Sequence, residues 1–285
     1  MAGIEKFWDD DPTSLLRVHD GFVLDEARAA DTPGFSGKKK DAEKALAEGA
    51  DVLSDLQDMF FAASTLGARG SILLVLQAMD TAGKGGITKH VMGAVAPGGI
   101  AYHAFKAPTA EERAHDFLWR INRELPPAGQ IGVFDRSHYE DVLIGSVRQL
   151  APPAEIDERF VAINNFERRL TETGTTVIKV MLHISSDEQK ERLSARLDRP
   201  DKHWKYNPTD VDERMRWAEY QKAYQRVFDL TSTANAPWYV VPGNHKWYAR
   251  LAVQHLLIDA LRDIDPAYPT ADYDVELEKK RLAAT

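Results

Sequence analysis

The stretch from Ser71 to Gly86 reads "SILLVLQAMDTAGKGG". Its opening run, Ile72 to Leu76, is continuously apolar and predicts a buried strand, and the glycine-rich segment after it predicts a turn into a helix. That order of elements presents backbone N–H groups and the positive end of a helix to an anion. The phosphate-loop pattern G-x-x-x-x-G-K-[ST] is missed at two positions, because Ala78 stands where its first glycine belongs and Gly85 where its hydroxyl belongs. Gly83, Gly85 and Gly86 still let the backbone come close to a phosphate, next to Ala82, and Lys84 supplies a cation. Without a hydroxyl at position 85 another oxygen must help hold Mg²⁺. Asp80 is the candidate, since an acid amid phosphate-binding amides is repelled unless a metal or a proton donor stands between them. Its other reading is an Asx side chain that stabilises the turn.

Further apolar runs at Ile100 to Phe105, Ile131 to Phe134, Thr176 to Ile184 and Trp238 to Val241 alternate with helical patterns. The alternation predicts an α/β fold, a three-layer arrangement with a parallel sheet covered on both faces. Thr109 with Glu112 and Ser185 with Glu188 have capping-box spacing. From Lys38 to Leu66 apolar residues recur at helical spacing and predict an amphipathic helix leading into the first strand. Residues 1–35, with Pro12, Pro33 and several Asp, have no clear period and are expected to lie as an arm on the surface. The catalytic domain is expected over 36–265 and a tail over 266–285.

The run "IGVFDRSHYEDV" puts Asp135 directly after an apolar strand, with Arg136 beside it. In open α/β sheets ligands bind beyond the carboxyl ends of the strands, so Asp135 resembles a Walker B metal ligand and a partner for Asp80. Between Lys190 and Lys205, "KERLSARLDRPDKHWK" gathers six basic residues, Lys190, Arg192, Arg196, Arg199, Lys202 and Lys205, against three acids. If its helix continues to Pro200, Arg192, Arg196 and Arg199 share one face, and a segment from about 190 to 212 would close as a basic lid over the loop. The alternative is a solvated helix with scattered charge. Trp204 is expected to anchor the lid; stacking on a base is its other use.

Composition narrows the classes. Of 285 residues, 44% are hydrophobic and 28% charged, as in ordinary globular proteins. With no cysteine, disulfides and thiolate chemistry are excluded. A formal net charge of −8 argues against nucleic acid and anionic membranes as partners, so any polyanion needs a local basic groove. The opening "MAGIEKFWDD" has no signal-peptide pattern and no run approaches the length of a membrane span, so a cytoplasmic protein is expected.

The motifs together resemble the second family of polyphosphate kinases, P-loop enzymes that move phosphate between inorganic polyphosphate and nucleotides. The resemblance covers roughly residues 36 to 265 and rests on "LVLQAMDTAGKGG", "FKAPTAEERAHDFLWRI" (105–121), "FDRSHYEDVL" (134–143) and "RPDKHWKYNPTD" (199–210). Family loops carry an aspartate two places after the first glycine and close on GKGG or a near variant, so only Ala78 departs; its extra methyl should leave the turn intact. The resemblance implies a fold similar to thymidylate and adenylate kinases with a helical lid. It implies Mg²⁺, or Mn²⁺, at Asp80 and Asp135, phosphate binding by Lys84 and Arg136, and lid arginines, Arg196 first, on the transferred group. Lys106 is implied as a polyphosphate contact. Lys89, Arg120, Tyr139, Glu140, Arg192, Arg199, Lys202 and Lys205 complete the expected phosphate- and nucleotide-binding set. "RSHYEDVL" resembles the subgroup that accepts both nucleoside mono- and diphosphates, with Glu140 where diphosphate-specific members differ. Family members are commonly dimers or tetramers, so a homo-oligomer is implied.

Two other readings use the same loop. An ATP-dependent kinase of a small metabolite needs no polyphosphate, and a GTPase-like switch needs N-K-x-D, which "NHKW" at Asn244–Trp247 does not supply. No G-x-S-x-G or H-E-x-x-H occurs, which leaves serine and zinc hydrolysis without a motif.

Overall fold

The computed structural model describes residues 4–285. In chain order the elements are α1 (Pro12–Leu16), α2 (Lys39–Thr65), β1 (Ser71–Ala78), α3 (Lys84–His90), β2 (Ile100–Ala104), α4 (Ala110–Arg113) and α5 (Trp119–Arg123). There follow β3 (Ile131–Asp135), α6 (Glu140–Val147), α7 (Pro153–Glu172), β4 (Thr175–His183), α8 (Ser186–Leu197) and α9 (Thr209–Met215). The chain then continues through α10 (Trp217–Thr231), β5 (Trp238–Pro242), α11 (Lys246–Ile264) and α12 (Val275–Ala283).

Each apolar run has become a strand of one parallel sheet, ordered β2-β3-β1-β4-β5. Central β1 is buried on both faces, which is why it reads as an unbroken apolar run. Alternate residues feed separate cores. Ile72, Leu74 and Leu76 pack with Leu53, Phe60, Leu257 and Leu261 beneath α2 and α11. Leu73 and Val75 pack with Phe134, Phe166, Phe228 and Trp238 beneath α7 and α10. Burying each such side chain contributes about 1.5–3 kcal/mol, so the strand that ends in the loop is among the most firmly held.

The register pairs Leu76 with Asp135. β1 and β3 are therefore neighbours whose outgoing connections run to opposite sides of the sheet, the arrangement that opens a crevice beyond the strand ends.

Of the local expectations, some hold and others change. Thr109 and Glu112 form the full reciprocal cap, Glu112 N–H to Thr109 Oγ1 at 3.2 Å and Thr109 N–H to Glu112 Oε2 at 2.6 Å. Ser185 caps Glu188 N–H, but Glu188 turns to Arg192 and Ser185 N–H goes to Asn244, so this box is half formed. Residues 4–35 are not simply a surface arm. Ile4, Leu16 and Phe35 enter one core, Val18 the other, and Val18 N–H donates to Trp238 O beside β5. Apolar spacing there is hidden because the segment follows no single period.

Candidate active site

The loop after β1 is held from behind by α8. Gln189 donates to Asp80 O, and the Arg192 guanidinium donates to the carbonyls of Thr81, Ala82, Gly243 and Asn244 while its Nε meets Glu188 at 2.6 Å. With the carbonyls drawn back, the N–H groups of Gly83, Lys84 and Gly85 find no acceptor among the described residues. Gly83 has φ 123°, a conformation that needs glycine. Thr81 and Arg136 are non-glycine residues at φ 67° and 64°, strained positions on either side of the crevice. Arg192 is accordingly a strut of the loop. Its expected phosphate contact is corrected, because the side chain is buried and its donors are spent on the protein.

Acids and cations pair across the crevice. Lys84 Nζ lies 3.8 Å from Asp135 Oδ1, and Arg136 Nη2 lies 3.3 Å from Asp80 Oδ1. Glu140, Asp80 and Asp135 together raise the Arg136 pKa against the opposing effect of burial. Burial pushes the Glu140 carboxyl up, against the pull of Arg136 and Lys84. The Gln77 amide, with its nitrogen turned to Glu140, donates to Oε1 at 2.9 Å while its oxygen accepts from Ser137. Asp80 and Asp135 offer partly exposed hard oxygens beside two cations, and the buried Thr81 hydroxyl has no partner among the described residues. That donor set fits Mg²⁺ or Mn²⁺, ions that take few carboxylates and complete their shell with substrate oxygens.

A cavity of about 530 Å³ opens on one side of these groups. Asp80, Arg136, Glu140, Lys106 and Arg120 line it, facing Asn207, Asp210, Glu213, Tyr220 and Tyr224. Burial, then Glu140, pushes the Tyr220 hydroxyl up to about 12, so it is a donor at neutral pH. Within the cavity wall most cations are matched: Arg120 with Asp141 at 3.5 Å, Arg159 with Glu155 at 2.6 Å, and Arg148 with Glu213. Tyr102, on β2, brings its hydroxyl to 3.5 Å from Asp135.

The lid is less uniform than its spacing suggested. α8 stops at Leu197, so Arg199 leaves the helix and does not share a face with Arg192 and Arg196. Arg196 meets Asp210 at 3.4 Å and Lys205 O at 3.1 Å. Arg199 and Lys202 both turn to exposed Asp201, and Lys205 lies over Trp204. Trp204 is 78% exposed and anchors nothing by burial. Tyr139, expected to bind a nucleotide or phosphate, is fully buried against Trp238 with its hydroxyl on Glu167; that expectation is also corrected. In a run as polar as "DRSHYED" nothing marks which side chain turns inward.

On the other flank lies a basic belt, of which the sequence pointed to Lys89 alone. Lys89 and His90 end α3, Lys246 and Arg250 begin α11, and Arg250 runs beside Gly86. Burial, then Arg250 and Lys89, depress the His90 pKa; burial, then Arg192, depress that of Lys246. Among the described residues Lys89, Lys246 and Arg250 make no ion pair within 4.0 Å, although the chain is acidic overall. The available signal was positional, since Lys246 starts the helix that follows β5 at the same edge of the sheet as the loop.

Comparison with known proteins agrees with this geometry. A family model described as Polyphosphate kinase 2 (PPK2) matches residues 36–269. A Meiothermus ruber protein named AMP/ADP-polyphosphate phosphotransferase is 42% identical over 248 residues, covering 87% of this chain and 91% of that protein. A Rhodopseudomonas palustris protein named ADP-polyphosphate phosphotransferase is 37% identical over 270 residues, covering 90% and 92%. The crystal structure of Polyphosphate Kinase 2 from Arthrobacter aurescens superimposes with a TM-score of 0.96 at 53% identity over 98% of both chains. With a family model over residues 36–269 and relatives and a solved structure alike along nearly its whole length, the chain belongs to the polyphosphate kinase 2 family.

Proposed function

We propose that this protein transfers phosphoryl groups between inorganic polyphosphate and nucleotides, forming ADP and ATP from AMP and ADP, reversibly and directly between the bound partners. The observation that carries the reading is the meeting of two unlike surfaces at Lys84 and Asp135. On one side lies a belt of cations that form no ion pair among the described residues, suited to a long polyanion; on the other lies a cavity of matched charges, suited to a small nucleotide. The names of the relatives, one with AMP and ADP and the other with ADP, support both acceptors. Glu140, on the cavity wall, is our candidate for acceptance of the shorter nucleotide.

Phosphoryl transfer asks a protein mainly for position and positive charge. Lys84 and the N–H groups of Gly83, Lys84 and Gly85 would hold the donor phosphate, and Arg136 would hold the acceptor phosphate while Asp80 keeps the guanidinium oriented. Asp80 and Asp135 would hold Mg²⁺ or Mn²⁺, which when bound neutralises charge shared between donor and acceptor oxygens. The attacking oxygen is already a phosphate oxygen, so no general base and no phosphoenzyme are needed. Arg196, on a lid over residues 190–212, would approach the transferred group and exclude water. In this reading residues 36–265 form the catalytic domain, with the N-terminal segment packed on it and a tail after 265. The enzyme works in the cytoplasm among its nucleotides, as a homo-oligomer of two or four chains. No helix among the described residues is long and apolar enough to cross a membrane.

The test is product analysis after mixing the protein with Mg²⁺, long-chain polyphosphate, and AMP or ADP in separate tubes. ADP and then ATP from AMP is the expected result. ATP from ADP alone would remove the dual-acceptor part, and no product in either tube would overturn the reading in favour of a metabolite kinase.

A further inference from the structure

The interior of β4, Val177 to Leu182, is apolar except at Lys179, which sits fully buried. The apolar face of α7, formed by Phe160, Ile163, Phe166 and Leu170, likewise carries one buried acid, Glu167. A buried ion without full pairing costs several kcal/mol, so both must be satisfied locally. They are. Lys179 Nζ donates to Glu167 Oε2 at 2.6 Å, to Tyr139 OH at 3.0 Å and to Thr231 O at 2.7 Å, which uses all three donors. Glu167 Oε1 accepts from Tyr139 OH at 2.8 Å and meets His138 Nε2 at 3.2 Å.

The partners matter because of where they lie. His138 and Tyr139 belong to the turn that begins with Asp135 and with Arg136 at its strained φ of 64°, and ends at Glu140. Thr231 is the last residue of α10, the helix that presents Tyr220 and Tyr224 to the cavity from the opposite wall. One ammonium and one carboxylate thus tie both walls of the cavity to the sheet. Apolar side chains would fill the same space but would not fix the direction of the turn, and a strained residue persists only where its surroundings over-determine it.

We propose that Glu167 and Lys179 are positioning residues for phosphoryl transfer, holding the Arg136–Glu140 turn against α10 through Tyr139, His138 and Thr231 without touching substrate. The inference rests on the function proposed above for the size of its effect on turnover, but its structural half can be read independently.

The experiment compares three proteins: wild type, the double variant Glu167→Leu/Lys179→Met, which replaces the pair by apolar groups of similar size, and Tyr139→Phe, which keeps the ring against Trp238 and removes only the hydroxyl. Melting temperature, steady-state kinetics and amide hydrogen exchange of residues 136–140 are measured on each. The expected result for the double variant is a melting temperature near that of the wild type, kcat lower by about 10- to 100-fold, as misplacement of reacting groups produces, an unchanged KM for polyphosphate, and faster exchange in the turn. Tyr139→Phe should follow in the same direction with a smaller loss.

A folded double variant with wild-type kcat and wild-type exchange would overturn the proposal. If the double variant does not fold, Tyr139→Phe decides, and its wild-type kcat and exchange would overturn it equally. If the wild type itself turns over neither AMP nor ADP, the functional reading fails, while unchanged exchange in the variants would still separately overturn the positioning role.

Discussion

The two flanks of the phosphate loop are both rich in cations but use them differently. In the belt, Lys89, Lys246 and Arg250 make no ion pair within 4.0 Å among the described residues, and Arg250 and Lys89 add to burial in depressing the pKa of His90, as Arg250 does for Lys246. In the cavity and beneath the lid, Arg136, Arg120 and Arg196 each have a carboxylate within 3.5 Å. Unmatched charge attracts any polyanion and is screened by salt, whereas a matched pair holds a guanidinium in one orientation and selects for shape. The difference teaches that the chain's net charge of −8 says little about its partners, because attraction is concentrated on one face.

The junction between the flanks gives the largest test. Lys84→Ala or Asp135→Asn should lower transfer by about 10³-fold, the scale on which lost electrostatic stabilisation of the reacting group is felt, with circular dichroism and melting temperature preserved. Wild-type rates in either variant would move the chemistry away from the point where belt and cavity meet.

A second test asks whether every arginine beneath the lid belongs to the ligand. Arg192 does not: it holds four backbone carbonyls and Glu188. Removing it leaves buried acceptors and an acid unpaired, so Arg192→Ala should cost about 2–4 kcal/mol of stability. Arg192→Lys should restore little, since an ammonium cannot reproduce the fork. Arg196→Ala, by contrast, should lower kcat and leave denaturant unfolding nearly unchanged. Equal stability for the Arg192 and Arg196 variants would erase the distinction between strut and ligand.

The sequence disclosed what backbone periodicity and strand ends determine. The five runs and their parallel pairing were legible because β1 is buried on both faces, and the gathering of Asp80, Lys84, Asp135 and Arg136 at one crevice because they follow the carboxyl ends of neighbouring strands. Side-chain direction was hidden. Arg192, Arg196 and Arg199 share a spacing, yet one props the loop, one pairs with Asp210 and one leaves the helix, since α8 ends before Pro200. The inward turn of Tyr139 was hidden because its partners Glu167, Lys179 and Trp238 are supplied by distant elements. Beyond Lys89 the belt was hidden because its halves are more than 150 residues apart in the chain and meet only when α11 packs on α3.

The belt itself gives a third, smaller effect. Lys246→Ala with Arg250→Ala should raise KM for long-chain polyphosphate by about tenfold, roughly one exposed ionic contact's 0.2–1 kcal/mol from each residue, while KM for the nucleotide stays the same. The salt dependence of the polyphosphate KM should flatten, and an undiminished dependence would assign the polyanion to another face.

The smallest effect sharpens the cavity side and depends on pH. Burial holds the Glu140 carboxyl above its ordinary pKa, with Arg136 and Lys84 only partly compensating. A carboxyl raised in the folded state binds its proton more tightly there than in the unfolded chain. Its contribution to stability is therefore fully present below the unfolded pKa and is lost as pH rises through the folded one. Glu140→Gln should consequently stabilise the protein at pH 8 and give no such gain at pH 4, in paired thermal melts of variant and wild type. Because Glu140 also faces the cavity between Arg136 and Tyr220, the same variant should shift the ratio of AMP to ADP use while leaving the polyphosphate KM alone. A gain in stability that is equal at both pH values would mean that the carboxyl is not strained by burial, and the cavity wall would then be as indifferent to charge matching as the belt.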